Sequence, residues 1–105
     1  MNLDIHTETD AQSTVLSLTG MLTMQTAQLL MKALDSLFLS NVSSITVDMS
    51  ALKKMDSAGV ATLVEGLRWQ HKTKHSFILR SISKEALSLL HMYQLDTVFE
   101  VQDGR

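Results

Sequence analysis

The side chain with the clearest chemical potential in this sequence is the hydroxyl of Ser57, within Met55-Asp56-Ser57-Ala58-Gly59. The segment follows a predicted strand and opens a predicted helix, so Asp56 or Ser57 is expected to be the helix N-cap. A hydroxyl there lies beside free backbone N–H groups, which also tolerate an added phosphate. Such a phosphate adds roughly −1.5 to −2 charges beside Asp56 and would repel a partner bound to this loop. The pattern leaves two interpretations open: an ordinary N-cap followed by small residues, or a phosphorylation switch.

A second group of notable side chains comes just before the first predicted helix. This stretch is predicted to be a loop, and it reads Gly20-Met21-Leu22-Thr23-Met24. Three large apolar side chains are unusual in a loop, because loops run over the protein surface. They either pack under the first helix as part of the core, or join Met55 in an adaptable partner-binding patch beside Ser57.

No arrangement of residues indicates an enzyme, a cofactor site or a metal site. The sequence has no cysteine, no Gly-x-Ser-x-Gly segment and no glycine-rich phosphate loop, which removes the common signatures of thiol, serine and phosphoryl-transfer catalysis. His71 and His75 have the spacing of a helical zinc pair, but no third ligand is near them in the sequence. Lys72 and Lys74 add positive charge there, so we interpret this segment as an exposed basic helix end.

Composition indicates one compact domain spanning 1–105. The chain has 105 residues, of which 45% are hydrophobic and 19% charged, as in globular proteins of this size. Its net charge of −2 lacks the basic surface expected of a nucleic-acid-binding protein. The N-terminus has no signal-peptide pattern, and no apolar run reaches the roughly 18 residues of a spanning helix. We therefore expect a cytoplasmic protein without direct membrane insertion.

Hydrophobic periodicity predicts strands that alternate with amphipathic helices. The predicted strands are 3–7, 15–18, 45–49, 77–79 and 97–101, with a hairpin loop at Glu8–Ser13 and a strand end at Gly20. The predicted helices run from Gln25 to about Leu39, from Asp56 or Ser57 to Lys72–His75, and onward from Ser83. The order β-β-α-β-α-β-α-β indicates an α/β fold with helices packed on a mixed sheet. Trp69 lies outside the apolar stripe of the second helix, so it is either half-buried at the helix end or part of an interaction surface.

Three segments together resemble the STAS domain, the fold of bacterial anti-sigma factor antagonists. The segments are Leu18-Thr19-Gly20 with Thr26-Ala27, Met55-Asp56-Ser57-Ala58-Gly59-Val60, and Leu89-Leu90-His91-Met92-Tyr93-Gln94-Leu95 followed by Val98-Phe99. They are similar to the strand-loop-helix signature, the Asp-Ser-x-Gly phosphorylation motif and the closing helix and strand of that family. The resemblance covers essentially the whole chain in order and spacing.

The resemblance implies a partner switch without enzymatic activity. In that family the serine matching Ser57 is phosphorylated by a serine kinase that is often also the anti-sigma factor, and a PP2C-type phosphatase reverses the modification. The unphosphorylated form binds its target and phosphorylation releases it. Asp56 and Gly59 are implied to shape the helix start around Ser57, and Ala58 stands where many members carry a second serine.

One departure from the family concerns the loop after Gly20. The family usually has an acidic pair there, whereas this chain has Met21 and Thr23. Because an acidic loop would match a basic partner surface, we expect a more apolar partner here. This departure speaks against a sigma-factor partner, and the resemblance leaves other outputs open, because related switches control stress responses and biofilm formation.

Two alternatives to the switch remain open at this stage. The first is the small STAS subunit of a phospholipid-trafficking ABC transporter, which would bind the transporter's ATPase as a structural regulator. The second is a small nucleotide-binding or enzymatic domain, although the sequence offers few convergent polar groups for it. The oligomeric state and the identity of the partners are not specified by the sequence.

Overall fold

The computed structural model describes residues 2–103 and has the predicted order of strands and helices. The elements are β1 Leu3–Asp10, β2 Ser13–Leu22, α1 Ala27–Phe38, β3 Ser44–Met55, α2 Ser57–Thr73, β4 Ser76–Arg80, α3 Lys84–Met92 and β5 Glu100–Gln102. Ser83 caps α3 as predicted, since its hydroxyl accepts a hydrogen bond from the Ala86 N–H at 3.1 Å. The predicted α/β class and the mixed sheet are therefore confirmed.

The five strands lie in the sheet in sequence order, β1-β2-β3-β4-β5. β1 is antiparallel to β2, and each later strand runs parallel to its neighbour. The hairpin turn between β1 and β2 is only Ala11-Gln12, shorter than the predicted Glu8–Ser13 loop. A turn this tight reverses the chain, whereas each helical crossover returns the chain to run parallel.

One face of the sheet forms the core, because its strands alternate as period-two geometry requires. The buried positions that meet across β2, β3 and β4 include Thr14, Leu16, Ile45, Val47, Phe77 and Leu79. From the helices, Leu30 and Leu34 of α1, Leu63 of α2 and Leu90 of α3 are fully buried. Full burial of one such side chain stabilises the fold by about 1.5–3 kcal/mol, so the pattern fixes which face of each element points inward.

α2 comes unusually close to the sheet at Gly66. A Cβ at this position would collide with the ring of Phe77 in β4, a ring that is fully buried in the core. Since the ring cannot move without disturbing close-packed neighbours, glycine is the residue that lets α2 lie at this distance. This packing offsets the low helix propensity of glycine at position 66.

The end of β3, the start of β5 and the burial of Trp69 also differ from the sequence predictions. β3 continues from Met49 to Met55 because it pairs with the second half of β2, although this segment was predicted to be a polar loop. The last strand is Glu100–Gln102, whereas 97–98 form a turn. Trp69 is only 6% exposed and stacks on Phe38 with ring centroids 5.4 Å apart. Trp69 is therefore a core residue, and both interpretations, half-buried or part of an interaction surface, are wrong.

The opposite face of the sheet carries a partly exposed ion pair. Asp48 and Arg80 are register partners on β3 and β4, and an Arg80 guanidinium N–H donates to Asp48 Oδ2 at 2.8 Å. Partial burial acts to raise the pKa of Asp48, but hydrogen bonds from Arg80 and Ser50 outweigh it and hold the pKa below its ordinary value. The charged form of Asp48 is thus favoured by folding.

This pair predicts a stability difference that depends on pH. A depressed folded pKa contributes stability above the unfolded pKa of about 4, and that contribution is lost as the pH falls through the folded pKa. We expect Arg80→Met to lower the free energy of unfolding by about 1 kcal/mol at pH 7 and by much less near pH 3. Urea unfolding at both pH values measures this, with Lys32→Met on the exposed side of α1 as the control. An Arg80→Met effect that is the same at both pH values would contradict the assignment.

Candidate functional site

The two segments singled out by the sequence meet at one edge of the sheet. Leu22 at the end of β2 is the register partner of Met55 at the end of β3. The segment that leads into α1 and the segment that opens α2 therefore leave the sheet side by side. In parallel sheets this carboxyl edge is where binding sites most often form.

Asp56 connects these two segments through its carboxylate. It is the N-cap of α2, with extended backbone angles, and its Oδ1 accepts hydrogen bonds from the N–H groups of Ala58 at 2.9 Å and Gly59 at 3.2 Å. Its Oδ2 accepts a third hydrogen bond from the Met24 N–H at 3.0 Å. The first two bonds are ordinary N-capping, whereas the third ties α2 to a segment 32 residues away in the sequence.

Ser57 is the first residue of α2 and its side chain is exposed. Within residues 2–103 its hydroxyl makes no hydrogen bond, so no neighbouring group has to be displaced for it to react. The other nearby hydroxyl on α2, that of Thr62, is buried and donates to the Ala58 carbonyl at 3.0 Å. The hydroxyl of Ser57 is thus accessible, whereas that of Thr62 is bonded within the helix.

A tight turn holds the segment between β2 and α1, and we call residues 23–26 the Met24 turn. Thr26 is its centre: the Thr26 hydroxyl accepts from the Thr23 N–H at 2.9 Å and donates to the Met21 carbonyl at 2.7 Å. The Thr26 and Ala27 N–H groups both donate to the Thr23 carbonyl. These bonds leave the Met24 side chain 74% exposed, at the tip of the turn.

The predicted loop and its apolar patch need correction. Gly20, Met21 and Leu22 belong to β2, and Gly20 does not end the strand. Its φ of +111° fits an irregular strand position where the chain passes close to the Asn2 carbonyl, which glycine alone accommodates easily.

The members of the predicted patch divide by burial. Leu22 is 0% exposed and Thr23 is buried, so their side chains cannot form a partner surface without the core opening. Met21 and Met55 are half-buried, and Met24 is exposed. Leu22 therefore belongs to the core, whereas Met24 is at the surface and its role in binding a partner stays a prediction.

Glycine at position 59 is explained by packing inside the protein and not by the approach of a partner. A Cβ there would come within 2.7 Å of Met55 Cγ and 2.9 Å of the Leu22 carbonyl oxygen. The small residue lets the first turn of α2 approach the ends of β2 and β3. Ala58 is half-buried beside it, so neither residue offers the partner a large contact.

The structure adds a groove that the sequence reasoning missed. It has a volume of about 320 Å³, and its lining residues are Ser57, Val60, Ala61, Val64, Glu65, Arg68, Tyr93 and Leu95. Tyr93 lies just beyond α3 and is half exposed. The small residue Ala61 and the aromatic Tyr93 were the available signals, but only the fold shows that they line the same groove.

No metal centre is indicated among residues 2–103, where no group of three or more His, Cys, Asp or Glu side chains is suitably placed. α2 ends at Thr73, Lys74 adopts a left-handed conformation, and the His75 ring packs edge-on against Trp69. His71 and His75 thus do not share one helical face. In the same part of the chain, no helix is both long and apolar enough to cross a membrane.

Comparison with known proteins gives one family match and several similar folds. A family model described as "Mlab, STAS domain" matches residues 5–101. A structure of a putative anti-sigma factor antagonist from Thermotoga maritima has a TM-score of 0.85 at 20% identity, covering 94% of this chain and 86% of that one. An anti-sigma factor antagonist from Mycobacterium paratuberculosis has a TM-score of 0.83 at 20% identity, covering 96% and 86%. The Bacillus cell fate determinant SpoIIAA in its phosphorylated form has a TM-score of 0.79 at 18% identity, covering 97% and 92%.

Because Leu22 is buried and Met24 is exposed, truncating these two side chains should have different effects on stability. Leu22→Ala removes buried atoms and leaves a cavity between β2 and α2, so it should lower the free energy of unfolding by about 2–5 kcal/mol. Met24→Ala removes an exposed side chain and should change it by less than about 0.5 kcal/mol. Urea unfolding of both variants measures the difference. A large loss of stability from Met24→Ala would show that Met24 is part of the core.

Proposed function

The chain belongs to the STAS domain family, and from this premise we propose that it is a phosphorylation-switched binding module with Ser57 as the acceptor. Its unphosphorylated form would bind a target protein, and phosphorylation would release that target. The observation that carries this proposal is the exposed hydroxyl of Ser57 at the start of α2, which makes no hydrogen bond to any of residues 2–103. A protein of this kind acts as a regulator and carries out no reaction itself.

The surroundings of Ser57 make a phosphate effective as a switch. The groove beside α2 is lined mainly by apolar side chains such as Val60 and Val64, and Met24 is exposed nearby on the turn bonded to Asp56. A phosphate on Ser57 adds about −1.5 to −2 charges at the end of this groove. A partner with an apolar surface would then have to desolvate a multiply charged group, which costs several kcal/mol.

The proposed partners follow from the family. They are a serine kinase of the anti-sigma factor type, which would modify Ser57, and a PP2C-type phosphatase, which would restore the hydroxyl. SpoIIAA, whose fold is similar, is described in a phosphorylated form, which supports a phosphorylated state for this chain. Met21 stands at one position of the usual acidic pair and the exposed Met24 lies near it, whereas Thr23 at the other position is buried. We therefore infer a kinase or target with a more apolar surface, acting in the cytoplasm on transcription, stress responses or biofilm formation.

The first experiment is intact-mass spectrometry of the protein purified from its own cells with phosphatases inhibited. Tryptic cleavage after Lys54 and Arg68 gives a peptide whose only hydroxyl side chains are Ser57 and Thr62. Fragmentation that places a phosphate on Ser57 supports the switch. A phosphate on Thr62, which is buried, or consistently unmodified protein across growth conditions would contradict it.

Substitutions at Ser57 should separate folding from binding. Ser57→Ala should fold like the parent and bind the target permanently, because the hydroxyl makes no hydrogen bond within the described part of the chain. Ser57→Asp and Ser57→Glu should also fold, since helix N-termini favour negative charge, but should bind the target at least roughly tenfold more weakly. Titration calorimetry with the purified target measures this, and Ser36→Asp on the exposed side of α1 is the control for net charge. Equal affinity of the parent and all Ser57 variants would exclude the switch.

The family match also favours a second candidate function. The matching model is described as "Mlab, STAS domain" and not as an anti-sigma factor antagonist. In this alternative the chain is the STAS subunit of a phospholipid-trafficking ABC transporter, and the same groove and Met24 bind its ATPase. Ser57 would then be a contact residue that is never phosphorylated.

Affinity purification from the native cells distinguishes the two candidates. Stoichiometric recovery of an ATPase with a permease, equally from the parent and from Ser57→Ala, indicates the transporter subunit. Recovery of a serine kinase with the parent, and of much less of that kinase with Ser57→Glu, indicates the switch. The neighbouring genes give an independent check, since kinase and phosphatase genes accompany one function and permease and ATPase genes the other.

A further inference from the structure

The carboxylate of Asp56 makes more hydrogen bonds than helix capping requires. Oδ1 already accepts from the N–H groups of Ala58 and Gly59, which completes an ordinary N-cap. Oδ2 is turned the other way and accepts from the Met24 N–H at 3.0 Å. We propose that Asp56 is a positioning residue, which holds the Met24 turn against the start of α2 and loosens it when Ser57 carries a negative group.

The tip of the Met24 turn is exposed, whereas Thr23 and Thr26 at its base are buried. The Thr26 hydroxyl holds the base, at 2.9 Å from the Thr23 N–H within the turn and 2.7 Å from the Met21 carbonyl oxygen at the end of β2. None of these bonds involves α2. Within residues 2–103, the bond from the Met24 N–H to Asp56 Oδ2 links the tip of the turn to the helix start, and the bond from the Asp56 N–H to the Leu22 carbonyl at 3.2 Å links the β2 end to it. Loss of the Oδ2 bond therefore frees the tip of the turn without unfolding it.

A negative group on Ser57 acts on this bond in two ways. It repels the adjacent Asp56 carboxylate, and it competes for the N–H groups at the start of α2 that Oδ1 now occupies. The bonds of Oδ1 are partly buried, whereas the bond from Met24 to Oδ2 is exposed. Since water replaces an exposed partner more easily than a buried one, the Met24 bond is the first to be lost.

A negative group on Ser57 would therefore weaken partner binding in a second way. The proposed function requires only that a charge on Ser57 repel the partner. This inference rests on that function and extends it: the exposed Met24 side chain also loses its fixed position. An apolar anchor that is no longer held in place contributes less to binding, because the complex must then order it again.

Asp56→Asn tests the bond without removing the cap. The asparagine carbonyl can still accept from Ala58 and Gly59, and asparagine is as good an N-cap as aspartate. Its amide group offers donors where the Met24 N–H needs an acceptor. Amide hydrogen exchange followed by NMR should show roughly tenfold faster exchange at Met24, with Ala58 and Gly59 unchanged. Asp35→Asn, an exposed carboxylate on α1, is the control and should change none of these amides.

The coupling to Ser57 is tested with a charged and a neutral side chain of the same size. Ser57→Glu should raise the amide exchange rate at Met24, as Asp56→Asn does. Ser57→Gln should leave this rate at the parent value. If Asp56→Asn leaves Met24 exchange unchanged, the positioning role is overturned. If Ser57→Glu and Ser57→Gln behave alike, the coupling is overturned.

These measurements need neither kinase nor target, so they are independent of the proposed function. Failure to find phosphate on Ser57 in cells would remove the function while the exchange data still decide the role of Asp56. A target released by phosphorylation with no change at the Met24 amide would keep the function and overturn the inference. In the complex, Asp56→Asn and Met24→Ala should weaken binding by similar factors, and the double variant by little more than either, because both disrupt one positioned side chain.

Discussion

The parallel pairing of β2 with β3 is the constraint on which the site depends. The pairing begins at Ser13 and Ser44 and ends at Leu22 and Met55. β3 uses two more residues than β2 over this distance, and the two register shifts absorb them one at a time. Because a shift of one residue turns every later side chain to the other face, the two irregularities together restore the alternation. They bring Met55 level with Leu22, which places Asp56 within reach of the Met24 N–H.

Two close contacts fix the position of α2 relative to the sheet. Gly59 lies against the Leu22 carbonyl and Gly66 lies against the Phe77 ring, and neither contact leaves space for a Cβ. Positions seven residues apart fall on the same face of a helix, so both glycines point at the sheet and set the distance and rotation of α2. The same rotation turns Ser57 and Ala61 outward. The exposure of the proposed acceptor is thus a consequence of core packing and not of a flexible loop.

The sequence alone was sufficient for the order of the elements, for the N-cap at Ser83 and for limiting the N-cap of α2 to Asp56 or Ser57. These features depend on local patterns, namely apolar periodicity and capping chemistry, which short segments carry by themselves. The continuation of β3 to Met55, the burial of Leu22 and the stacking of Trp69 on Phe38 were missed. Each depends on a partner distant in the sequence, so segment 50–55 resembles a loop until β2 is placed beside it. The bond between Asp56 and Met24 is of the same kind.

The start of α2 is suited to a switch because most of its hydrogen-bond donors are already occupied. A free helix N-terminus partly neutralises a phosphate with its unpaired N–H groups. Here the N–H groups of Ala58 and Gly59 donate to Asp56 Oδ1, and that of Val60 donates to the Asp56 carbonyl. A phosphate on Ser57 must therefore either displace the Asp56 carboxylate or keep its charge uncompensated. Both outcomes would increase the negative charge facing the groove beside α2, so under the proposed function the N-cap that stabilises the helix would also leave the charge of the phosphate available to act on a partner.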